Sequence, residues 1–343
     1  MSSRLPKFEQ LDSLRTIAAT AVVLHHFLPE YYLGRFKYGW IGVDLFFVIS
    51  GFLITAILLQ QKAVVPNRLM LVRNFMAKRI LRLFPAYYLL LTAFVVLRYA
   101  FHIWSWEPGQ GVFYFTYTSN LLFFQHGFGS MQLNHVWTLA VEEQFYLLWP
   151  WLVLFLSRET LLRTVIAMVV LSFLFKTFCD IDHVRMLTVS HFDTLGGGAL
   201  IAILGHEDGF FAWIGHKWTL LVTLSLAGLA LNTLILPGPL LLNASVWFLT
   251  ITLVTGCLLG HGGVWGALLD RRWMIHTGRI SYGIYLYHKP IPVFFEAIHG
   301  HTGIAISPWI QLILALLLTY LIAELSYRWI ERPFLRLKEH FDL

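Results

Sequence analysis

The feature that most limits what this chain can fold into is a series of apolar runs, each close to the roughly 20 residues that a bilayer's hydrocarbon core requires. They fall at 10–29, 40–61, 76–100, 136–156, 161–179, 189–205, 215–236, 242–261, 279–300 and 306–330. A backbone that crosses lipid must satisfy its own N–H and C=O groups, and an α-helix does so within one segment. The expected fold class is therefore all-α: a polytopic membrane helix bundle of about ten transmembrane helices. Composition agrees, with 57% of residues hydrophobic and 13% charged, against about 25% charged in soluble globular domains. A water-soluble globule is excluded.

Short basic clusters between the runs set the orientation. A cytoplasmic N-terminus puts Lys62, Arg68, Arg73, Lys78, Arg79, Arg82, Arg158, Arg163, Arg271, Arg272, Arg328, Arg332 and Arg336 on the cytoplasmic side. An even number of crossings brings the C-terminus back, so the expected topology is N-in/C-in, multi-pass. The net charge of +6 is then topogenic, and no nucleic-acid partner is expected. Cys179 and Cys257 lie in separate runs, which leaves no disulfide framework and no thiolate metal site. No small-residue cleavage pattern follows the first run, so it is not read as a removable signal. With no repeat, low-complexity tract or linker, one membrane domain is expected to fill 1–343.

The chemistry starts in the first run, LDSLRTIAATAVVLHHF. From Arg15 to His26 the helix turns through about 1100°, within roughly 20° of whole turns, so the two share a face about 16 Å apart. His25 falls about 80° away from that face. A guanidinium at one end of a stripe and an imidazole at the other suit an anion grip coupled to proton chemistry. Ionisable residues inside a membrane point to function by default.

Depth along the helices puts Asp44, Glu142 and Glu143 in the layer of His26. A carboxylate bonded to an imidazole fixes its tautomer and raises its basicity, the usual preparation of a general base. Glu142 and Glu143 point about 100° apart, so only one can face His26; Glu143 is favoured for that role, with Asp44 competing. On the cytoplasmic side Arg79 and Arg82, three residues apart, share a face. With Arg15 they could hold donor phosphates by bidentate contacts. Lys78 and Arg73 read as topogenic residues.

The segment 101–135 carries no Lys or Arg and holds an apolar patch too short to cross. Its aromatics, with Trp104 and Trp106, suit an interfacial belt more than sugar stacking.

These motifs together resemble the acyltransferase-3 family of integral membrane acyltransferases, nearly end to end. The first run is similar to its motif of an arginine, ten residues and a histidine, and carries Arg15 and His26. GVDLFFVISGFLIT carries Asp44, Ser50 and Gly51, and RILRLFPAYY carries Arg79 and Arg82. HVWTLAVEEQFYLLWP resembles a Trp-Ser-Leu-x-Val-Glu-Glu-Gln-Phe-Tyr motif, with Thr138 in place of Ser. GRISYGIYLYHKPI carries Tyr282, Tyr285 and His288, and ELSYRWIERP carries Glu324, Glu331 and Arg332. Before Phe192 stands His191 where an arginine is expected, so a contact of that arginine is expected to be altered. The esterase-like extracytoplasmic domain of some relatives is not found in this sequence.

The resemblance implies transfer of an acyl group, usually acetyl, from acetyl-CoA (acyl-CoA) to a hydroxyl of an extracytoplasmic saccharide or glycolipid. It implies a bacterial cytoplasmic (inner) membrane, with membrane lipids as surroundings and no metal. His26 is expected to be the base. Trp137, Tyr285 and His288 are expected to bind the acceptor, His288 in a segment kinked by Pro290 and Pro292. Glu324 is expected to pair with Arg79 or Arg82, and Glu331 with Arg332 at the surface. A saccharide or acyl-anion transporter, and a non-catalytic assembly partner, stay open beside this reading.

Overall fold

A computed structural model describes residues 8–28, 38–101, 109–128, 133–205, 207, 209–260, 262–302 and 306–341. The expected runs are helical, and no strand occurs among the described residues. The helices are α1 (Glu9–Phe27), α2 (Ile41–Val64), α3 (Arg68–Phe101), α4 (Gly111–Phe115), α5 (Ser119–His126), α6 (Trp137–Phe155), α7 (Arg158–Phe178) and α8 (Phe192–Leu204). After them come α9 (Phe210–Leu234), α10 (Pro239–Leu259), α11 (Gly263–Leu269), α12 (Arg272–Arg279), α13 (Ser281–Tyr287), α14 (Ile291–Thr302), α15 (Pro308–Ser326) and α16 (Arg332–Arg336). Among the described residues 6 helices are long and apolar enough to cross a membrane: α2, α3, α7, α9, α10 and the stretch that α15 opens.

Three runs differ from their expected shape. α3 begins at Arg68, ahead of the expected 76, because Asn67 caps it: its Oδ1 accepts from the Met70 N–H at 3.0 Å. Its 34 residues make a helix of about 51 Å, and Arg79 and Arg82 lie well inside it. The run 189–205 opens as a 3₁₀ turn, Thr188–His191, which leaves α8 with 13 residues, about 20 Å. The run 279–300 breaks at His288 into α13 and α14. Pro290 has no N–H to give to the carbonyl four residues back, which is that of Leu286. The freed Leu286 carbonyl faces His135 Nε2 at 3.1 Å.

Close helix crossings position the site. α2 meets α8 through two glycines, Gly51 against the Leu195 backbone and Gly198 against the Val48 carbonyl and the Phe52 N–H. A Cβ at either would overlap backbone, so this approach exists only because both side chains are absent. α1 is held from the other side: Ser13 Oγ donates to the Leu269 carbonyl, Thr16 Oγ1 donates to the Met274 carbonyl at 2.6 Å, and Gly278 sits on the Asp12 backbone. Behind α8, Lys176 and Asp193 form an ion pair at 2.5 Å, with side chains 4% and 0% exposed.

At the C-terminal end a π turn, Tyr327–Glu331, leads from α15 into α16. The extra residue per turn rotates Glu331 inward. Glu331 is therefore buried and accepts from Ser326 Oγ at 3.4 Å, in place of the expected surface pair with Arg332. Glu324 does not meet Arg79 or Arg82 either. One turn of helix brings it to Arg328 at 2.5 Å, and α12 brings His276 to it at 2.8 Å.

Candidate functional site

Three cavities follow one another through the bundle and share wall residues. The first, about 170 Å³, is strongly basic, lined by Lys78, Arg79, Arg82 and Lys338 with Gln61, Ile57 and Phe75. Arg79 and Arg82 also line the second, a narrow chamber of about 80 Å³ that adds Arg15, Ser50, Glu142, Tyr146 and Tyr282. Val43, Thr138 and Tyr285 belong to both this chamber and the third cavity, of about 530 Å³. That cavity is lined by His25, His26, Asp44, His135, Trp137, Arg185 and His191, with Trp40 and Asn134.

The chamber gathers cations around one carboxylate. The Arg79 guanidinium lies 5.2 Å from the centres of both the Phe75 and Tyr146 rings, which fix its plane. Glu142 accepts from Ser50 Oγ at 2.7 Å, and Tyr146 OH donates to Ser50 Oγ at 3.3 Å. Arg15 bonds Asp12 one turn earlier on α1 at 3.0 Å. This set would hold the phosphates of an anionic ligand through the guanidinium forks. Lys78, read from the sequence as topogenic, and Lys338 add two cations to the adjoining basic cavity.

Hydrogen bonds assign the tautomers of the imidazoles in and behind the large cavity. His288 Nδ1 lies 2.6 Å from the Tyr285 carbonyl, which can only accept, so Nδ1 carries the hydrogen. In the neutral ring Nε2 is then an acceptor. It lies 3.0 Å from His26 Nδ1, which must donate to it. His26 Nε2 is left with its lone pair free, on a ring that lines the cavity. By the same logic His135 donates from Nε2 to the Leu286 carbonyl, and His191 donates from Nε2 to the Arg185 carbonyl at 2.7 Å. The buried Nδ1 atoms of His135 and His191 are therefore acceptors, and neither has a hydrogen-bond partner among the described residues.

The carboxylates expected in one layer are separated. Asp44 lines the large cavity, with Oδ1 at 4.0 Å from His191 Nδ1. Glu142 faces the arginines. Glu143 is buried, lines none of these three cavities, and leaves Oε1 without a hydrogen-bond partner among the described residues. The hydrogen-bond partner of His26 is another imidazole, that of His288. Of the acceptor-site candidates, Trp137 and Tyr285 line the large cavity, while His288 stands behind His26. Trp104 and Trp106 lie outside the described residues.

A family model described as an acyltransferase domain, that of acyltransferase-3, matches residues 8–328. The chain belongs to the acyltransferase-3 family. It is similar to the peptidoglycan O-acetyltransferase OatA of Listeria monocytogenes, 32% identical, the match covering 94% of this chain and 55% of that protein. It is also similar to the O-acetyltransferase OatA of Staphylococcus aureus, 28% identical over 94% of this chain and 56% of that one. The chain thus spans about half the length of these relatives. No solved structure matches it.

Within this acyltransferase-3 chain, three cavity residues had no role assigned from sequence. His135 opens the HVWT segment, two residues ahead of Trp137, and that proximity was its only signal. Arg185 brings a guanidinium to the cavity, bonded to Asn243 Oδ1 at 2.7 Å and 5.4 Å from the Trp40 ring centre. His191, noted only as a departure from the family pattern, lies between Phe47 and Trp137, at 4.8 and 5.3 Å between ring centres.

Proposed function

We propose that the chain is a membrane O-acyltransferase that moves an acyl group, acetyl, from acyl-CoA to a hydroxyl of a saccharide or glycolipid. The observation that carries this reading is the shared wall of Val43, Thr138 and Tyr285, across which the chamber of three arginines adjoins the cavity of His26. Acetyl-CoA is a polyphosphate with a long thin arm ending in a thioester. Arg15, Arg79 and Arg82 hold its phosphates, and the arm reaches the wall from the chamber side. The acceptor occupies the large cavity, where His26 Nε2 takes the proton of the attacking hydroxyl. Asp44, His135 Nδ1 and His191 Nδ1 are further hydrogen-bond acceptors there, which suits a ligand rich in hydroxyl donors. Trp137 offers it an aromatic face. Glu142 balances charge among the arginines, and Glu143, which lines neither the chamber nor the large cavity, has no part in orienting His26.

Ten crossings with both termini in the cytoplasm fit this direction, since the basic cavity then opens toward cytoplasmic acyl-CoA and the histidines lie toward the outside. A single membrane domain over 1–343, in a bacterial cytoplasmic (inner) membrane, completes the reading. The peptidoglycan O-acetyltransferase activity for which the Listeria relative is named supports an envelope saccharide as acceptor. The test is transfer of label from [¹⁴C]acetyl-CoA in membranes carrying the chain or its His26→Ala variant. Labelled ester on envelope glycans from the parent alone is the expected result. No ester from either would overturn the reading and leave transport or assembly.

A further inference from the structure

The wall between the two cavities carries two hydroxyls, and their hydrogen bonds do not add up to a purely structural pair. Thr138 Oγ1 lies 3.1 Å from the His135 carbonyl and 2.7 Å from Tyr285 OH, and Tyr285 OH lies 3.0 Å from the same carbonyl. The triangle has three links and two hydrogens, because the carbonyl only accepts. One hydrogen satisfies the His135 carbonyl and the other lies between the hydroxyls. Turning that second hydrogen toward a new acceptor breaks only the link between hydroxyls. The buried carbonyl keeps a partner, so no buried group is left unsatisfied.

Position says what the new acceptor is. Both residues line both cavities, and the Tyr285 ring lies 5.6 Å from His288, whose own ring is 5.0 Å from His26. An electrophile delivered from the arginine side must present its carbonyl here to be met by a hydroxyl held at His26. We propose that the hydroxyls of Thr138 and Tyr285 form the oxyanion site for the thioester carbonyl, an inference that rests on the acyltransferase reading above. In the step it serves, the acceptor O–H bond breaks and its proton passes to His26 Nε2. The acceptor oxygen bonds the carbonyl carbon, and the C=O π electrons move to the oxygen that Tyr285 or Thr138 donates to. Collapse restores C=O and breaks C–S, and the departing thiolate takes the proton from His26. Donors placed where charge develops, in a site screened from water, act on the transition state far more than on the bound substrate.

The test uses the full chain in proteoliposomes with acetyl-CoA labelled with ¹³C at the carbonyl. Infrared difference spectra of the bound thioester are read alongside CoA release in membranes containing the native acceptors. In the parent the carbonyl band lies below that of free acetyl-CoA. Tyr285→Phe and Thr138→Val each return it toward the free value and lower kcat by about 10²-fold, with the acetyl-CoA KM within about twofold. Thr138→Ser keeps both properties. A merely structural pair would leave the carbonyl band unmoved. If Tyr285→Phe does not fold, the contrast between Thr138→Val and Thr138→Ser decides. Unchanged kcat and band in the Val variant overturn the oxyanion site while His26→Ala still abolishes transfer; absence of any acetyl-CoA turnover in the parent overturns the acyltransferase reading itself.

Discussion

His288 Nε2 stands 3.0 Å from His26 Nδ1, across 262 residues of sequence. His288 directly follows the last residue of α13, Tyr287, where Pro290 two residues on ends the helical ladder. At the break the ring turns back to donate from Nδ1 to the Tyr285 carbonyl at 2.6 Å, and its other nitrogen is committed as an acceptor. A catalytic histidine is usually oriented by a carboxylate that also stabilises the imidazolium. In the proposed reaction a neutral imidazole, that of His288, would perform the orienting part alone. It fixes which nitrogen of His26 is bare without adding a negative charge to a buried site.

The first prediction follows from that role. His288→Leu removes the acceptor and lets His26 adopt the other tautomer, so kcat should fall by about 10²-fold with the acetyl-CoA KM unchanged. His288→Gln, whose side-chain carbonyl can accept from His26 Nδ1, should recover much of the loss. Equal losses in the Leu and Gln variants, read by label transfer, would show that His288 only fills space.

The two neighbouring histidines should separate. His26→Ala deletes the proposed base and should lower turnover by about 10² or more in a protein that still inserts. His25 also lines the cavity, its ring 5.5 Å from that of His26, but it makes no bond to the His26–His288 pair. His25→Ala should therefore cost less than about tenfold. Parent-like transfer by His26→Ala would remove the base from the mechanism.

Much of this arrangement was legible because it is local. The Arg15–His26 stripe lies on one helix and needs only the helical period, and the Arg79–Arg82 pair likewise. Asp44 and His26 were placed in one layer by depth alone, and one cavity holds both. The division between Glu142 and Glu143 was not legible. Adjacent residues point about 100° apart, but the rotation of α6 that decides which faces what is set by distant contacts. Trp149 Nε1 donating to Thr55 Oγ1 at 2.8 Å is one, and Ser50 on Glu142 is another. Pro290 announced a break in the sequence without saying where the freed side chains would turn. The inward rotation of Glu331 depends on one extra residue in a turn, which no apolar period records.

Arg79 offers a test of the donor end. Its guanidinium is held between the Phe75 and Tyr146 rings, so its plane is set before any ligand arrives. Arg79→Lys keeps the charge but loses the fork and the stacking. Both Arg79→Lys and Arg79→Ala should raise the acetyl-CoA KM by about tenfold or more, with a smaller change in kcat, because a phosphate contact acts on bound donor and transition state alike. A Lys variant with the parent KM would reduce the site to a point charge.

The Lys176–Asp193 pair concerns stability rather than transfer. It joins α7 to the start of α8, the helix that packs on α2 through the glycine contact and directly follows the cavity residue His191. Trp247 Nε1 donates to the Asp193 carbonyl at 2.8 Å, and Ser172 Oγ accepts from the Asp193 N–H at 3.0 Å, so the segment is bonded on several sides. Removing one member of a fully buried pair leaves the other charge uncompensated, at about 3–5 kcal/mol, whereas removing both replaces the pair by apolar contact at little cost. Lys176→Met and Asp193→Leu should each lower the midpoint of thermal unfolding in detergent, and the double variant should recover most of the loss. The coupling is the informative quantity. Additive losses in the double variant would mean that each side chain is held by its other neighbours, and that the ion pair does not fasten α8.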